Sequence, residues 1–200
     1  MHNKQLSHSH HQPQGTKYPL CLLLNDFESP ANVGSIFRLA DAFGVEKIYL
    51  TGSTSVPPNR KMVRTSRATE KFVPYEYKKN AEAVVNRLKL QGYKIISLEI
   101  TSSSTDIRQL DLSKQEKVCL ILGSENEGIN PQLLALSDKT IHIPMLGENS
   151  SINVASACAI AVFYLVNQVS LYLKNRANHE LWFTLFNEDW IKGWRHCNEA

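Results

Sequence analysis

The sequence lacks the features that define several common protein classes. It has no long apolar run: the longest, Val154 to Val166, contains Ser156 and is too short to cross a bilayer. No apolar stretch of the kind found in secretion signals follows the first methionine, so a soluble cytoplasmic protein with no membrane partner is expected. Cysteine is scarce. Cys21, Cys119, Cys158 and Cys197 are widely spaced, with no C-x-x-C, which argues against a disulfide framework or a zinc site and for reduced thiols. His8, His10 and His11 cluster in a polar stretch where histidines are usually solvated, so no metal site is expected. The dinucleotide fingerprint G-x-G-x-x-G, the phosphate loop ending in Gly-Lys-Ser/Thr and the G-x-S-x-G elbow are all missing. Nicotinamide enzymes, nucleoside triphosphatases and serine hydrolases thereby lose their usual parts, and His142 is the only histidine near a candidate loop.

What is present fits one domain, since 200 residues are enough for a full core. Residues 1–17 are polar and unpatterned and are expected to form a disordered tail. A domain over residues 18–173 and a helical extension over 174–200 should follow. Trp182, Trp190 and Trp194 all fall in that extension, where packing onto the body is preferred to stacking on bases. Net charge is only +3, but Thr54 to Lys79 carries seven Lys and Arg against two Glu. One basic segment on a near-neutral body predicts an anionic partner, with Arg60, Lys61, Arg64 and Arg67 as phosphate contacts.

Apolar periodicity and punctuation predict alternating strands and helices. Leu20 to Leu24 is a continuous apolar run, as in a strand covered on both faces. Ser29 as N-cap, Pro30 at the first turn and Gly44 as stop bracket a helix whose core face is Val33, Ile36, Phe37 and Ala40. Lys47–Leu50 is the next strand, the basic segment a long functional loop, and Phe72–Tyr77 a short strand. A helix over Ala81–Gln91, capped by Asn80, should bury Ala81, Val84, Val85 and Leu88. Strands over Tyr93–Ile100, Lys117–Leu122 and Thr140–Ile143 follow, with short helical pieces at Ile107–Leu110 and Pro131–Leu136. The last helix, Ile152 to about Leu173, is apolar on nearly every side through Val166. It is either central or covered by another subunit, and a dimer is favoured, to be broken by charge at Val162 or Val166. The alternation predicts an α/β fold: a parallel sheet with helices on both faces.

Three strand ends run into small and polar residues: Asn25 onward, Gly123 to Gly128, and Pro144 to Ser151. This predicts one composite pocket. Its amides, hydroxyls, single arginine and two glutamates suit a cofactor that brings its own reactivity. By local sequence alone Arg38 reads as a surface pair with Asp41, and Glu125 and Glu127 as a solvated loop or a general acid and base.

Three ordered motifs change that balance. N-x-G-x-x-x-R (Asn32, Gly34, Arg38), G-S-E-N-E-G (Gly123 to Gly128) and I-P-M…S-I-N-V (Ile143 to Met145, Ser151 to Val154) closely resemble the motifs of the SpoU/TrmH family of RNA ribose 2′-O-methyltransferases, in the SPOUT superfamily. The resemblance covers about Leu20 to Leu173. Ile152 stands where the third motif usually has Leu. The resemblance implies a C-terminal trefoil knot, a homodimer through the Ile152–Leu173 helix, S-adenosylmethionine as cofactor and tRNA or rRNA as partner. It implies that Thr101, Gly123, Ile143 and Ile152 line the adenosine, with Met145 also on the cofactor. Glu127, Ser151 and Asn153 would position the reactants. Asn32 would orient the sugar, and Arg38 would contact RNA and act on the hydroxyl, by activating it or by clamping phosphate and stabilising developing alkoxide. Helical spacing puts Asn32 and Arg38 about 120° apart, so they converge only if Arg38 reaches around or the first turn is irregular. A SPOUT enzyme that methylates a base, and a non-catalytic RNA-binding or assembly protein, are the alternative readings.

Overall fold

The computed structural model describes residues 15, 17–112 and 117–168. Its strands are β1 (Tyr18–Asn25), β2 (Val45–Thr51), β3 (Tyr75–Lys78), β4 (Tyr93–Leu98), β5 (Thr105–Asp106), β6 (Lys117–Leu122) and β7 (Lys139–His142). Its helices are α1 (Pro30–Ala42), α2 (Arg60–Ser66), α3 (Ala81–Leu90), α4 (Pro131–Leu136) and α5, which is helical over 154–168. The strands form one seven-stranded sheet, β3-β2-β1-β6-β4-β7-β5, with every neighbouring pair parallel.

The continuous apolar run of β1 is explained by its two covered faces. Leu20, Leu22 and Leu24 enter a core shared with α1, α2 and α5, while Cys21 and Leu23 enter a second core shared with α3 and α4. On α1 the buried set is Val33, Gly34, Ile36, Phe37 and Ala40, and the Ser29 hydroxyl accepts from Asn32 N at the N-terminus. Asn80 and Asn130 cap α3 and α4 in the same way, through Ala83 N and Leu133 N (both 2.9 Å). Cys21, Cys119 and Cys158 are free and buried, and burial pushes the thiols of Cys21 and Cys158 up to about 11 and about 12, out of the reactive range. No helix among the described residues is long and apolar enough to cross a membrane, and no group of them could hold a metal ion.

Several expectations need correction. The basic segment is not a plain loop: Asn59 Oδ1 accepts from Lys61 N (2.9 Å) and Met62 N (3.4 Å) and starts α2. This helix buries Met62 and Ser66 and then turns through left-handed backbone at Arg67 and Ala68. Strand β3 begins at Tyr75 rather than Phe72, which is exposed. Helix α5 begins at 154, because Asn153 is spent on capping it. Helix α5 divides into an inner and an outer stripe. Cys158, Ala161, Val162, Leu165 and Val166 face the chain's own core, while Ile160 and Phe163 are exposed. Charge at Val162 or Val166 would therefore disrupt the fold itself rather than a seam between subunits. The expected end of that helix at Leu173, the extension over 174–200, Cys197 and the tail histidines lie outside the described residues, as does the expected tail except for residues 15 and 17.

Helices α1 and α2 touch backbone to backbone. A Cβ on Gly34 would lie 2.4 Å from the Met62 carbonyl oxygen and 2.3 Å from Thr65 Oγ1. The Thr65 hydroxyl bonds both Ala31 O (2.8 Å) and Met62 O (3.0 Å) at this contact. The glycine of the first motif is thus the residue that lets the basic helix seat directly on α1.

Candidate active site

The carboxyl ends of β4, β6 and β7 point the same way because the sheet is parallel, and their loops line one cavity of about 600 Å³; the strand end after Asn25, expected to share that pocket, does not line it and is joined to its walls only by hydrogen bonds. That is within the range of small-molecule and cofactor sites. The loop after β6 is closed by a two-way bridge, Ser124 N to Gly128 O (3.1 Å) and Gly128 N to Ser124 O (3.0 Å). Gly128 takes φ +67°, and a Cβ there would sit 2.4 Å from Glu99 Oε2. Glu99, just past β4, accepts from Ile100 N and Ile129 N (both 3.0 Å), so one carboxylate joins two loops at the cavity wall.

The first and second motifs are tied by a pair of reciprocal carboxylates. Glu125 Oε2 accepts from Glu28 N (2.8 Å), and its Oε1 accepts from Ser29 N (3.1 Å) and Asn32 Nδ2 (2.8 Å). Glu28 returns the contact, accepting from Ser124 Oγ (3.0 Å) and Asn126 Nδ2 (2.8 Å). Burial alone would raise the Glu125 carboxyl, but the bonds from Asn32 Nδ2 and the Glu28 and Ser29 backbone outweigh it and hold it below its ordinary value.

The third motif joins through Asn32. Asn153 Nδ2 donates to Asn32 Oδ1 (3.1 Å), and Asn153 Oδ1 accepts from Ala155 N (3.0 Å) and Ser156 N (3.2 Å) at the start of α5. A carboxylate only accepts, so Asn32 must turn its NH₂ to Glu125 and its oxygen to Asn153. The orientation of both amides is therefore fixed by the network itself.

The expected cofactor residues come together: Thr101, Gly123, Ile143, Met145 and Ile152 all line the cavity, with Glu127, Ser151 and Asn153. Asn32 reaches it through Asn153. Arg38 does not line it; it is exposed on α1 and has no ion-pair or hydrogen-bond partner among the described residues, so the local-sequence pair with Asp41 does not form. Arg60, Lys61, Arg64 and Arg67 are likewise exposed, on α2 and its C-terminal turn. Sequence reasoning gave Glu127 the organising role, yet its side chain makes no bond among the described residues. Glu125 holds three. Glu28, Glu99 and the Ser104–His142 contact (Oγ to Nδ1, 3.0 Å) were also missed, since each acts on residues remote in the chain.

The lining suits a ligand that is part aromatic and part cationic. Ile100, Ile129, Ile143, Met145 and Ile152 give apolar surface, and Glu99, Glu125 and Glu127 give negative charge. The Thr101 hydroxyl is buried with no partner, a polar group that a bound ring system would satisfy. S-adenosylmethionine, expected from the motifs, has that make-up.

Residues 19–163 match the model of the SpoU rRNA Methylase family. The chain is similar to the 23S rRNA (guanosine(2553)-2′-O)-methyltransferase of Bacillus subtilis, 29% identical over 72% of this chain and 56% of that protein. It is 30% identical to the tRNA (guanosine(18)-2′-O)-methyltransferase of Thermus thermophilus over 86% of this chain and 88% of that one. Among solved structures it resembles the SpoU methyltransferase AviRb from Streptomyces viridochromogenes in complex with the cofactor AdoMet (TM-score 0.68, 25% identity, 74% of this chain, 59% of that chain). The chain thus spans little more than half the length of the B. subtilis relative.

Proposed function

Since the chain belongs to the SpoU rRNA methylase family, we propose that it methylates the ribose 2′-hydroxyl of a structured RNA, a tRNA or an rRNA, in the cytoplasm, with S-adenosylmethionine as cofactor. The observation that carries this reading is the relay from Glu125 through Asn32 to Asn153, beside a cavity lined by the remaining motif residues.

S-adenosylmethionine, when bound, supplies a methyl group activated by the positive charge of its sulfonium. Thr101, Gly123, Ile143, Met145 and Ile152 would hold it, with the carboxylates of Glu99 and Glu127 facing its cationic part. Asn32 keeps one Nδ2 proton and one Oδ1 lone pair unused by the relay, and these are available to orient a sugar. Ser151 and Asn153 complete that rim. A guanidinium is a permanent cation, so the role of Arg38 is to clamp RNA phosphate and to stabilise negative charge developing on the ribose oxygen. An amide and a permanent cation suit a hydroxyl, which needs positioning. They suit a base less well, since a base nitrogen needs an acid or base to manage its tautomers.

The test is the product. Labelled RNA digested with alkali should yield a resistant dinucleotide, because a 2′-O-methyl group blocks attack on the neighbouring phosphate. Label released on a free base by acid would establish the base-methylating alternative. Cofactor binding with no transfer to any RNA would establish the non-catalytic one.

The finer parts of the reading rest on α5 and α2. A C-terminal trefoil knot is supported by the way segment 107–112 lies against α5: Tyr164 OH donates to Arg108 O (3.0 Å), and Gln168 bonds Leu110 O (2.9 Å) and Leu112 N (3.3 Å). A homodimer covering α5 is supported by the exposure of Ile160 and Phe163 on its outer stripe. For the RNA face, neutralising two of Arg60, Lys61, Arg64 and Arg67 should flatten the slope of log K against log salt by about 1–2, at roughly 0.7–0.9 per phosphate contact. An unchanged slope in a filter-binding titration would return α2 to a solvated surface.

A further inference from the structure

The segment after α2 exposes an aromatic ring in an unusual setting. Phe72 is 71% exposed, the most exposed aromatic side chain among the described residues, although its neighbour Val73 is buried in the core. Its backbone is anchored, with Phe72 N and Val73 N both donating to Thr69 O (2.9 and 3.0 Å). The ring is therefore held outward on a fixed support.

Its neighbours in the chain are cationic. The side chains of Arg64, Arg67 and Lys71 are exposed with no ion-pair or hydrogen-bond partner among the described residues. The two acids of the segment bond other groups: Glu70 accepts from the Ser66 hydroxyl, and Glu76 is paired with Lys47 (2.7 Å) and Arg87 (3.1 Å). Val63, Tyr75 and Tyr77 of the same segment are also exposed, but Phe72 is the most exposed of them and the segment carries unneutralised cations that a purely apolar docking patch would lack. Fixed aromatic faces set among cations are how single-stranded nucleic acid is held, with phosphates on the cations and a base on the ring.

We propose that Phe72 is a stacking platform for an unpaired nucleotide of the RNA, adjacent to the phosphates held by the basic helix. This rests on the RNA-modifying reading above and adds to it a requirement on the substrate: an accessible base face near the target, which a continuous duplex does not offer.

The probes are a single-stranded oligoadenylate and a blunt-ended RNA duplex of the same length, titrated against the full chain. One lost stacking contact amounts to about 1–3 kcal/mol, so Phe72→Ala should weaken oligoadenylate binding about tenfold or more and leave duplex binding unchanged. The salt slope should not move, because no phosphate contact is lost. Phe72→Trp should bind like the parent, and Phe72→Leu, apolar but not aromatic, should behave like alanine. Equal weakening for both RNAs, full binding by the leucine variant, or a changed sedimentation coefficient with intact RNA binding would overturn the platform. The last would make the ring part of a protein contact. A parent protein that binds neither probe and modifies no RNA would overturn the functional reading with it, whereas a parent that methylates RNA beside an unaffected Phe72→Ala would overturn the platform alone.

Discussion

Replacing Arg38 by alanine is expected to lower the rate of methyl transfer by at least about 100-fold, the scale of losing one transition-state donor, with no change in cofactor affinity or melting temperature. The separation of readouts follows from where the side chain stands. Arg38 is exposed, lines no part of the cavity and bonds no described residue, so its removal leaves nothing unsatisfied. Its five donors are free for RNA. Arg38→Lys keeps the charge but loses the planar fork, and should recover only part of the rate. Asn32→Ala should differ in kind: it breaks the bonds to both Glu125 and Asn153, and so should lower the melting temperature along with the rate. Single-turnover kinetics with isothermal titration of the cofactor distinguishes the two. Near-normal turnover in Arg38→Ala would remove this arginine from the mechanism.

Glu125→Gln should be nearly as damaging, although it changes one atom type. Three donors converge on the two carboxylate oxygens, from Glu28 N, Ser29 N and Asn32 Nδ2. A glutamine has one oxygen and must turn its NH₂ toward a donor on one side. Leaving one such group unsatisfied costs about 1–3 kcal/mol, which is roughly 4–8 °C of melting temperature for about 2 kcal/mol in a domain of this size. Activity should fall further, because Asn32 loses the partner that fixes its amide. The pH dependence has a definite sign. The folded carboxyl is held below its ordinary value of about 4.5, so its stabilisation is complete above that value and is lost as pH falls through the lower folded one. The gap in melting temperature between parent and Glu125→Gln should therefore be constant from neutral pH down to about 5 and narrow in more acid solution. A gap that stayed the same through that acid range would show that the charge is not what holds the loops.

Much of the fold was legible because its signals are local. Ser29 and Asn80 each sit at the start of an apolar period and each caps through its own side chain, so α1 and α3 could be placed closely. Helix α2 was missed because only Met62 and Ser66 of its seven residues are buried, too few to set a period. Strand β5 is two residues long and exists only through its pairing with Ile141 and His142. The site was legible as a set of lining residues but not as a network. The bonds joining Glu28 and Asn32 to the second motif span 93–98 residues, and nothing near Glu125 distinguishes it from Glu127 until Glu28, Ser29 and Asn32 are brought against it. The side chains of Val162 and Val166 were assigned to the wrong stripe of α5 for a related reason. An apolar helix does not reveal which stripe its own sheet will take, and here the sheet takes Val162 and Val166.

If the proposed reaction holds, the backbone contact at Gly34 would set its length scale. With α2 seated on α1 at Gly34 and tied to it by the Thr65 hydroxyl, the cations of α2 and the guanidinium of Arg38 sit on two directly packed helices. Under the proposed function, that pair would act as a ruler laid along the RNA, the phosphates gripped at one end fixing which nucleotide arrives at the other. An alanine at Gly34 would pry the two helices apart and lengthen the ruler. Its signature would be methyl groups placed on a neighbouring nucleotide.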